Sequence, residues 1–202
     1  MNELVLASKS PRRRELIKLL GHPFICIPSN IEEYYIEEET PAEHVTRLSE
    51  LKAVNVGQTL EHCIVIGSDT VVVIDDDIIG KPRTADEALE MIMRLQGCTH
   101  TVFTGFAIYN TENKKMFSSY ETSEVTMRKI SLDMAKQYID TKEPLDKAGA
   151  YGIQGYGAVL IESIKGCFFN VMGLPLSRLM EALHTSTSGR YGYFGTTGEL
   201  LS

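Results

Sequence analysis

A cluster of positive charge near the start of the chain has the composition of an anion-binding site. Residues 9–18 contain five cations and one acid, namely Lys9, Arg12, Arg13, Arg14 and Lys18 with Glu15. Ser10 followed by Pro11 predicts a helix start, because serine caps the first turn and proline is tolerated at the first helical position. The backbone N–H groups of that turn, with Ser8, Ser10 and the arginines around them, suit phosphate oxygens. The alternative is a solvated amphipathic helix start, although cations at this end oppose the helix dipole.

A carboxylate interrupts an apolar stretch in the middle of the first half. Two β-branched runs, Cys63–Ile66 and Val71–Ile74, predict strands separated by a break at Gly67-Ser68-Asp69-Thr70. At the end of a strand in an α/β protein, Asp69 could hold a metal ion or accept a proton from water. The alternative is a turn aspartate that hydrogen-bonds its own backbone.

Two further segments contain candidate ligand contacts. Lys81 stands between Gly80 and Pro82 after a strand, where it is either a phosphate contact or part of a surface loop. The segment Gly149–Gly155 is rich in glycine but is neither a Walker loop nor a dinucleotide-binding fingerprint. Its glycines permit close approach of the backbone to a ligand, and the amide of Gln154 could read a base edge.

Two acidic stretches have less specific patterns. Glu33 belongs to a run of six glutamates between residues 32 and 43, and such a run is usually a solvated face. The run itself does not distinguish Glu33 from its neighbours. Asp75-Asp76-Asp77 contains the Asp-x-Asp pattern that chelates a metal in nucleotide-sugar transferases. Its position between two short β-branched runs favours a hairpin turn instead.

The remaining pattern predicts an α/β protein with a mixed sheet, because helices and strands alternate while hairpins interrupt the alternation. Helices are predicted to begin at Ser10, Thr40, Thr84, Ser131 and Pro175, the second of them running to about Val56. Further strands are predicted at Leu4–Ala7, His100–Tyr109, Met116–Met127, Ala158–Ile164 and Cys167–Met172. Residues 185–202 show no periodicity, so we expect a flexible C-terminal tail.

Composition excludes several classes of protein. The 202 residues include 20 Lys+Arg and 27 Asp+Glu, and the resulting net charge of −7 argues against a nucleic-acid binder. The longest apolar runs are far short of the ~20 residues that cross a bilayer, so no membrane partner is expected. The four cysteines lack the short spacing of a zinc or redox site. With no signal-peptide pattern, we expect a cytoplasmic protein with reduced thiols.

Taken together, these segments resemble the Maf family of nucleoside triphosphate pyrophosphatases, also called septum-formation proteins. The matching stretches are Leu6–Arg13, Gly67–Thr70, Gly80–Pro82, Glu143–Gly155 and Gly173–Pro175. Their order and spacing span about residues 3–184. The resemblance implies one domain over residues 1–184, with a twisted mixed sheet flanked by helices in two lobes and a cleft between them.

The resemblance also implies an activity. Members of the family hydrolyse a nucleoside triphosphate to the monophosphate and pyrophosphate with a divalent metal cation, Mg²⁺ or Mn²⁺. The segment Ala148–Gly155 is similar to the branch that acts on dTTP and UTP, rather than the branch that acts on 7-methyl-GTP. A homodimer is an expectation at the level of the family. A nucleotide-sugar transferase using Asp75 and Asp77, or a non-catalytic nucleotide-binding regulator of division, remains an alternative.

Roles for individual residues follow from the same resemblance. Asp69 is expected to accept the proton of the attacking water, and Glu33 is also required. Both are expected to help hold the metal. The expected substrate contacts are Ser8, Ser10, Arg12, Arg13, Lys52, Thr70, Lys81 and Gln154. Among these, Arg12, Thr70 and Gln154 are expected to determine which nucleotide is accepted.

Overall fold

The computed structural model describes residues 3–195, which form two compact units. Within the described residues, the first unit comprises 3–69, 104–121 and 173–195. The second unit comprises 70–103 and 122–172. Each unit has its own apolar core. The first core includes Val5, Val65 and Ala107, and the second includes Val72, Ile92 and Val125.

The described residues form one mixed sheet of seven strands, which confirms the predicted α/β class. The strands are β1 Glu3–Leu6, β2 Phe24–Cys26, β3 Cys63–Ile74, β4 Asp77–Ile79, β5 Thr99–Asn110, β6 Met116–Met127 and β7 Ile161–Gly166. Their order is β2-β1-β3-β5-β6-β7, and β4 pairs with β3. Strand β1 is parallel to β2 and β3, whereas the pairs β3–β4 and β6–β7 are antiparallel.

Six α-helices accompany the sheet in the described range. They are α1 Pro11–Lys18, α2 Pro41–Gly57, α3 Ala85–Leu95, α4 Leu132–Asp140, α5 Phe168–Met172 and α6 Leu176–Ser186. The predicted caps are confirmed: the side chains of Ser10, Thr40, Thr84 and Ser131 each accept a hydrogen bond from the backbone N–H three residues later. Short 3₁₀ helices cover Glu143–Asp146, Ala148–Ala150 and Gly155–Leu160. In this part of the chain no helix is long and apolar enough to cross a membrane.

One predicted break and one predicted strand are wrong. The runs Cys63–Ile66 and Val71–Ile74 belong to one continuous strand, β3, and every residue of Cys63–Asp69 is buried. Gly67 and Asp69 have weak strand propensity, but packing on both faces of a buried strand overrides that preference. Cys167–Met172, predicted as a strand, instead forms α5. A short apolar run does not by itself distinguish a buried strand from a buried helix.

The chain after α6 lies against the C-terminal end of α1. His184 Nδ1 is 2.9 Å from the Tyr191 carbonyl oxygen, and Tyr191 is buried. The backbone N–H of Gly195 donates to the carbonyl of Leu20 at 3.0 Å. The flexibility expected of residues 185–202 stays a prediction, and residues 196–202 lie outside the described part of the chain.

Candidate active site

The start of α1 and residue Asp69 are brought together by the pairing of two parallel strands. Leu6 of β1 is in register with Ile66 of β3, and the Ala7 N–H donates to the Ile66 carbonyl at 2.8 Å. Beyond this point β1 leads into the turn before α1, whereas β3 continues to Asp69. The charged helix start and the carboxylate therefore emerge at the same end of the β1–β3 pair.

The two serines before α1 are fixed by backbone hydrogen bonds. The Ser8 hydroxyl, which is buried, accepts from the Ser10 N–H at 3.1 Å. The Ser10 hydroxyl caps the helix by accepting from the Arg13 N–H at 3.4 Å. The first turn of α1 contains no acidic residue. The structure thus keeps the backbone N–H groups and positive charge of this turn together, as an anion site requires.

Arg13 is tied to the strand that contains Asp69. Its Nε donates to the Gly173 carbonyl at 2.8 Å, and the buried Ser68 hydroxyl lies 3.0 Å from the same oxygen. Burial lowers the pKa of the Arg13 guanidinium, while the nearby charge of Asp69 raises it. Since arginine remains protonated in proteins, Arg13 is a permanent positive charge next to Asp69.

The centre of the candidate site is a group of three charged side chains, which we call the Lys52 cluster. Lys52 Nζ lies 2.6 Å from Asp69 Oδ1 and 2.7 Å from Glu33 Oε1. The side chains of Lys52 and Asp69 are each 9% exposed, whereas that of Glu33 is 44% exposed. A buried ammonium group is therefore shared by one buried and one accessible carboxylate. Asp69 is a strand residue in contact with Lys52, and the turn interpretation is wrong.

Two glycines allow helix α2 to deliver Lys52 to this position. A Cβ atom on Gly67 would lie 2.0 Å from the Ser49 carbonyl oxygen, and one on Gly105 would lie 2.4 Å from that of Val45. The helix backbone therefore rests directly on β3 and β5. Residues two apart in a strand face the same side, so Asp69 points toward the helix that covers Gly67. This close packing explains why Lys52 reaches Asp69.

The segment that contains Glu33 is anchored to the same helix. Arg47 of α2 forms a two-point ion pair with Glu39, with Nη2 2.7 Å from Oε2. Its guanidinium also donates to the Tyr34 carbonyl at 2.9 Å and lies 4.8 Å from the centre of the Tyr34 ring. The Tyr35 ring stacks on buried His44 at 4.5 Å. These contacts fix the residues that follow Glu33.

Sequence reasoning did not single out Tyr35, the second residue after Glu33. Burial raises the pKa of its hydroxyl, and the charges of Asp69 and Glu33 raise it further, so the ring lies within the field of both carboxylates. A pair of tyrosines inside a run of glutamates was the available signal. Its meaning depended on the stacking partner His44, which lies on a different element.

Arg12 lies in the first turn of α1, and the three remaining predicted contacts, Thr70, Lys81 and Gln154, lie in the second unit. Thr70, the residue after Asp69, is partly buried, whereas Lys81 and Gln154 are exposed. Gln154 immediately precedes the 3₁₀ helix Gly155–Leu160. The structure thus joins Ser8, Ser10, Arg13, Lys52, Glu33 and Asp69 through hydrogen bonds, ion pairs, strand pairing or charge interactions within the first unit. Thr70 continues β3 directly after Asp69.

The Asp-x-Asp pattern lies in a turn, as predicted. Asp75 and Asp76 have positive φ angles of 51° and 65°, and β4 begins at Asp77. Arg94 Nη2 is 2.7 Å from Asp77 Oδ2 and 3.6 Å from Asp75 Oδ2. Both carboxylates of the pattern are thus paired with an arginine rather than arranged around a metal site.

The Lys52 cluster has a donor set compatible with a magnesium-type cation. Among residues 3–195, no group of three or more His, Cys, Asp or Glu side chains could hold a metal ion. Mg²⁺ is often bound by only one or two carboxylates together with water and substrate phosphates. Asp69 and Glu33 both reach one cationic group, the Lys52 ammonium, so the two carboxylates could also reach one metal ion next to it.

Comparison with known proteins gives a consistent result over nearly the whole chain. Residues 3–186 match the family described as Maf-like protein. A protein from Thermoanaerobacter sp. (strain X514) is 50% identical over 182 residues, which cover 90% of this chain and 95% of that protein. A protein from Bacillus cytotoxicus is 45% identical over 189 residues, covering 94% and 98%. Both relatives are named dTTP/UTP pyrophosphatase. The chain with this charged cluster beside a capped, arginine-rich helix start belongs to the Maf family.

Proposed function

We propose that the protein hydrolyses dTTP and UTP to the corresponding monophosphate and pyrophosphate. The observation that carries this proposal is the buried contact of Asp69 with Lys52. Asp69 lies on β3, and the neighbouring strand β1 leads into the cationic start of α1. The chain is similar over 90% and 94% of its length to two proteins named for this activity. A small anionic substrate also accounts for the concentration of cations in an acidic chain.

The triphosphate binds at the start of α1. The backbone N–H groups of the first turn and the guanidinium groups of Arg12 and Arg13 supply hydrogen bonds and positive charge to phosphate oxygens. The fixed hydroxyls of Ser8 and Ser10 define the shape of this turn. Lys52 and Lys81 add further positive charge.

Asp69 acts as the general base. It takes a proton from the water that attacks the α-phosphorus. The new bond joins the water oxygen to that phosphorus, and the bond to the bridging oxygen breaks as pyrophosphate leaves. Asp69 and Glu33 would hold a divalent cation, Mg²⁺ or Mn²⁺, which when bound neutralises phosphate oxygens and lowers the barrier to attack. Lys52 orients Asp69 through the contact at Oδ1.

Substrate choice is assigned to Arg12, Thr70 and Gln154 on the basis of family resemblance. The amide of Gln154 offers both a donor and an acceptor, and a pyrimidine edge can satisfy both. A site that hydrogen-bonds a substrate group discriminates strongly against analogues that leave its own polar atoms unpaired. A cytoplasmic location is also proposed from the sequence, and a homodimer from the family resemblance.

The variant Asp69→Asn tests the role of the base. Loss of a general base typically reduces the rate by about 10²–10⁴-fold, and the neutral amide cannot accept the proton. We expect kcat for dTTP to fall by that amount while the far-UV circular dichroism is unchanged. Asp76→Asn is the matched control, because Asp76 is exposed in the β3–β4 turn, and it should retain full activity. Activity of Asp69→Asn within about threefold of wild type would remove Asp69 from the mechanism.

Product analysis separates this function from its rivals. The protein is incubated with each nucleoside triphosphate and Mg²⁺ or Mn²⁺, and the products are identified by chromatography. We expect dTMP and pyrophosphate from dTTP. A nucleotide-sugar transferase would form no pyrophosphate from free dTTP, and the pairing of Asp75 and Asp77 with Arg94 argues against it. A non-catalytic regulator would bind the nucleotide without turnover.

A further inference from the structure

A single carboxylate organises the glycine-rich segment of the second unit. Glu143 Oε2 accepts from the Tyr156 N–H at 2.8 Å, and Oε1 accepts from the Gly157 N–H at 3.1 Å. The Tyr138 hydroxyl donates to Glu143 Oε1 at 3.0 Å and accepts from the Gly152 N–H at 3.1 Å. We call Glu143 and Tyr138 the Glu143 clamp. The clamp binds three backbone N–H groups, one before Gln154 and two after it.

The glycines of this segment make room for the clamp. A Cβ atom on Gly155 would lie 2.4 Å from Glu143 Oε2, and one on Gly157 would lie 2.6 Å from the Tyr138 hydroxyl. A Cβ atom on Gly152 would lie 3.1 Å from Glu143 Oε1. Gly155 also has a φ of +70°, in the left-handed region that favours glycine. The glycines therefore let the segment pack closely against Glu143, Tyr138 and its own backbone.

The clamp leaves the Gln154 side chain at the surface. Gln154 is exposed and does not cap the 3₁₀ helix that follows it. Its neighbours are held by hydrogen bonds from Gly152 on one side and from Tyr156 and Gly157 on the other. The backbone on both sides of Gln154 is therefore fixed, while its side chain is exposed.

The strength of the clamp follows from its charge and burial. Hydrogen bonds from backbone N–H groups to a carboxylate are roughly twice as strong as those between neutral groups. Tyr138 is 5% exposed, and burial raises the pKa of its hydroxyl, which therefore stays protonated and donates to Glu143. Without such bonds a segment with three glycines between residues 152 and 157 would be expensive to order.

We propose that Glu143 and Tyr138 are positioning residues for the recognition of the nucleobase, which they fix indirectly by holding the backbone that presents the Gln154 amide. This inference rests on the proposed function, because it requires a pyrimidine nucleotide as substrate. Neither residue needs to touch the nucleotide. A fixed backbone limits the positions that the Gln154 amide can reach, and a restricted amide is more selective than one on a mobile backbone, which adapts to a purine as well as to a pyrimidine.

Tyr138→Phe is the primary test, because it removes one hydroxyl and keeps the buried ring. The ratio of kcat/KM for dTTP to that for GTP is measured in wild type, Tyr138→Phe, Gln154→Ala and the double variant. We expect Tyr138→Phe to lower this ratio about tenfold, with kcat for dTTP within about threefold of wild type. In the Gln154→Ala background, Tyr138→Phe should have no further effect on the ratio. Glu143→Gln, which removes the charge, should act in the same direction and serves if Tyr138→Phe does not fold.

Ser123→Ala is the matched control for a purely structural effect. The Ser123 hydroxyl lies in the same unit and also bridges backbone groups, accepting from the Cys167 N–H and donating to the Cys167 carbonyl, each at 3.0 Å. Its loss should lower the melting temperature about as much as Tyr138→Phe. The dTTP/GTP ratio of Ser123→Ala should equal that of wild type.

The outcomes distinguish failure of the inference from failure of the function. Absence of pyrophosphate from dTTP with the wild-type protein would refute the proposed function itself. With an active wild type, an unchanged ratio in Tyr138→Phe and Glu143→Gln would overturn the inference. An unchanged ratio in Gln154→Ala, or an equal effect of Tyr138→Phe in the Gln154→Ala background, would also overturn it, because the clamp would not act through Gln154.

Discussion

The Lys52 cluster of the first unit and the Glu143 clamp of the second both depend on carboxylates, but the carboxylates have different partners. In the cluster, Asp69 and Glu33 contact a side-chain ammonium group. In the clamp, Glu143 accepts hydrogen bonds from two backbone N–H groups and one hydroxyl. A carboxylate bound to a flexible lysine can exchange that partner for substrate, metal or water. One surrounded by backbone donors can only hold the chain in place.

Glycine shows the same contrast. Gly67 and Gly105 admit the backbone of helix α2, whereas Gly155 admits the end of the Glu143 side chain. A helix backbone cannot move without the whole helix, but a glutamate side chain can change rotamer. The two regions should therefore respond differently to the same substitution. The first region should lose stability and rate, and the second should lose selectivity.

The largest effect on stability is expected for Lys52→Met. Removal of one partner leaves the buried Asp69 carboxylate without its ammonium group, and breaking a buried pair in this way costs about 3–5 kcal/mol. The double variant Lys52→Met/Asp69→Asn should recover part of that loss, because no buried charge is left unpaired. Unfolding in urea measures both values.

Lys18→Met provides the control for the Lys52 prediction. Lys18 pairs with Glu15 at 2.7 Å, but the two side chains are 51% and 64% exposed, so its loss should barely move the urea midpoint. If the double variant were no more stable than Lys52→Met, the destabilisation would not come from the isolated charge of Asp69.

Gly67→Ala and Gly155→Ala compare the two kinds of close packing. The new methyl group at Gly67 meets the Ser49 carbonyl of α2, and we expect a loss of about 3 kcal/mol with loss of activity, since Lys52 is displaced. At Gly155 the positive φ costs about 1–2 kcal/mol, while Glu143 can rotate away. Chemical denaturation and dTTP assays of both variants test this order. Equal destabilisation by the two substitutions would contradict the distinction between backbone and side-chain contacts.

A smaller effect, dependent on pH, is expected next to the clamp. Burial lowers the pKa of His100 to about 4, and its Nε2 lies 2.7 Å from the Tyr151 hydroxyl. Below the ordinary pKa of 6.5, the unfolded chain therefore takes up a proton that the folded protein does not. The free energy of unfolding that depends on neutral His100 is fully present above that pH and is lost as the pH falls toward 4. The loss between pH 7 and pH 5 is about 2 kcal/mol.

His100→Gln isolates that contribution from the acid groups. The difference in unfolding free energy between pH 7 and pH 5 should be smaller in the variant than in wild type by about 2 kcal/mol. An identical difference in the two proteins would show that His100 does not titrate on unfolding in this range.

Much of the fold could be predicted because its signals are local. The caps at Ser10 and Thr40 depend on residues three positions away, and those helix starts are confirmed. The continuity of β3 through Gly67–Thr70 was missed, because it depends on α2 and β1 packing against the strand. Helix α5 was missed for a similar reason: its Asn170 bonds the Val102 carbonyl, 68 residues away.

The candidate site was predictable only in part. The anion-binding character of the α1 start could be derived from residue types, and its caps are local. The link from Lys52 to Asp69 required the structure, because it depends on the close packing of α2 that the missing side chain of Gly67 allows. Glu33 could not be distinguished from neighbouring glutamates without the family resemblance. The role of Glu143 was hidden because its partners, Tyr156 and Gly157, are 13 and 14 residues away across several turns.

The central claim is that water attacks the α-phosphorus of dTTP, and its most direct test is the fate of the water oxygen. The wild-type protein is incubated with dTTP and Mg²⁺ in water enriched in oxygen-18, and the products are analysed by mass spectrometry. The account predicts that the label enters dTMP and that the pyrophosphate remains unlabelled. Label in the pyrophosphate, or release of dTDP and inorganic phosphate, would contradict it.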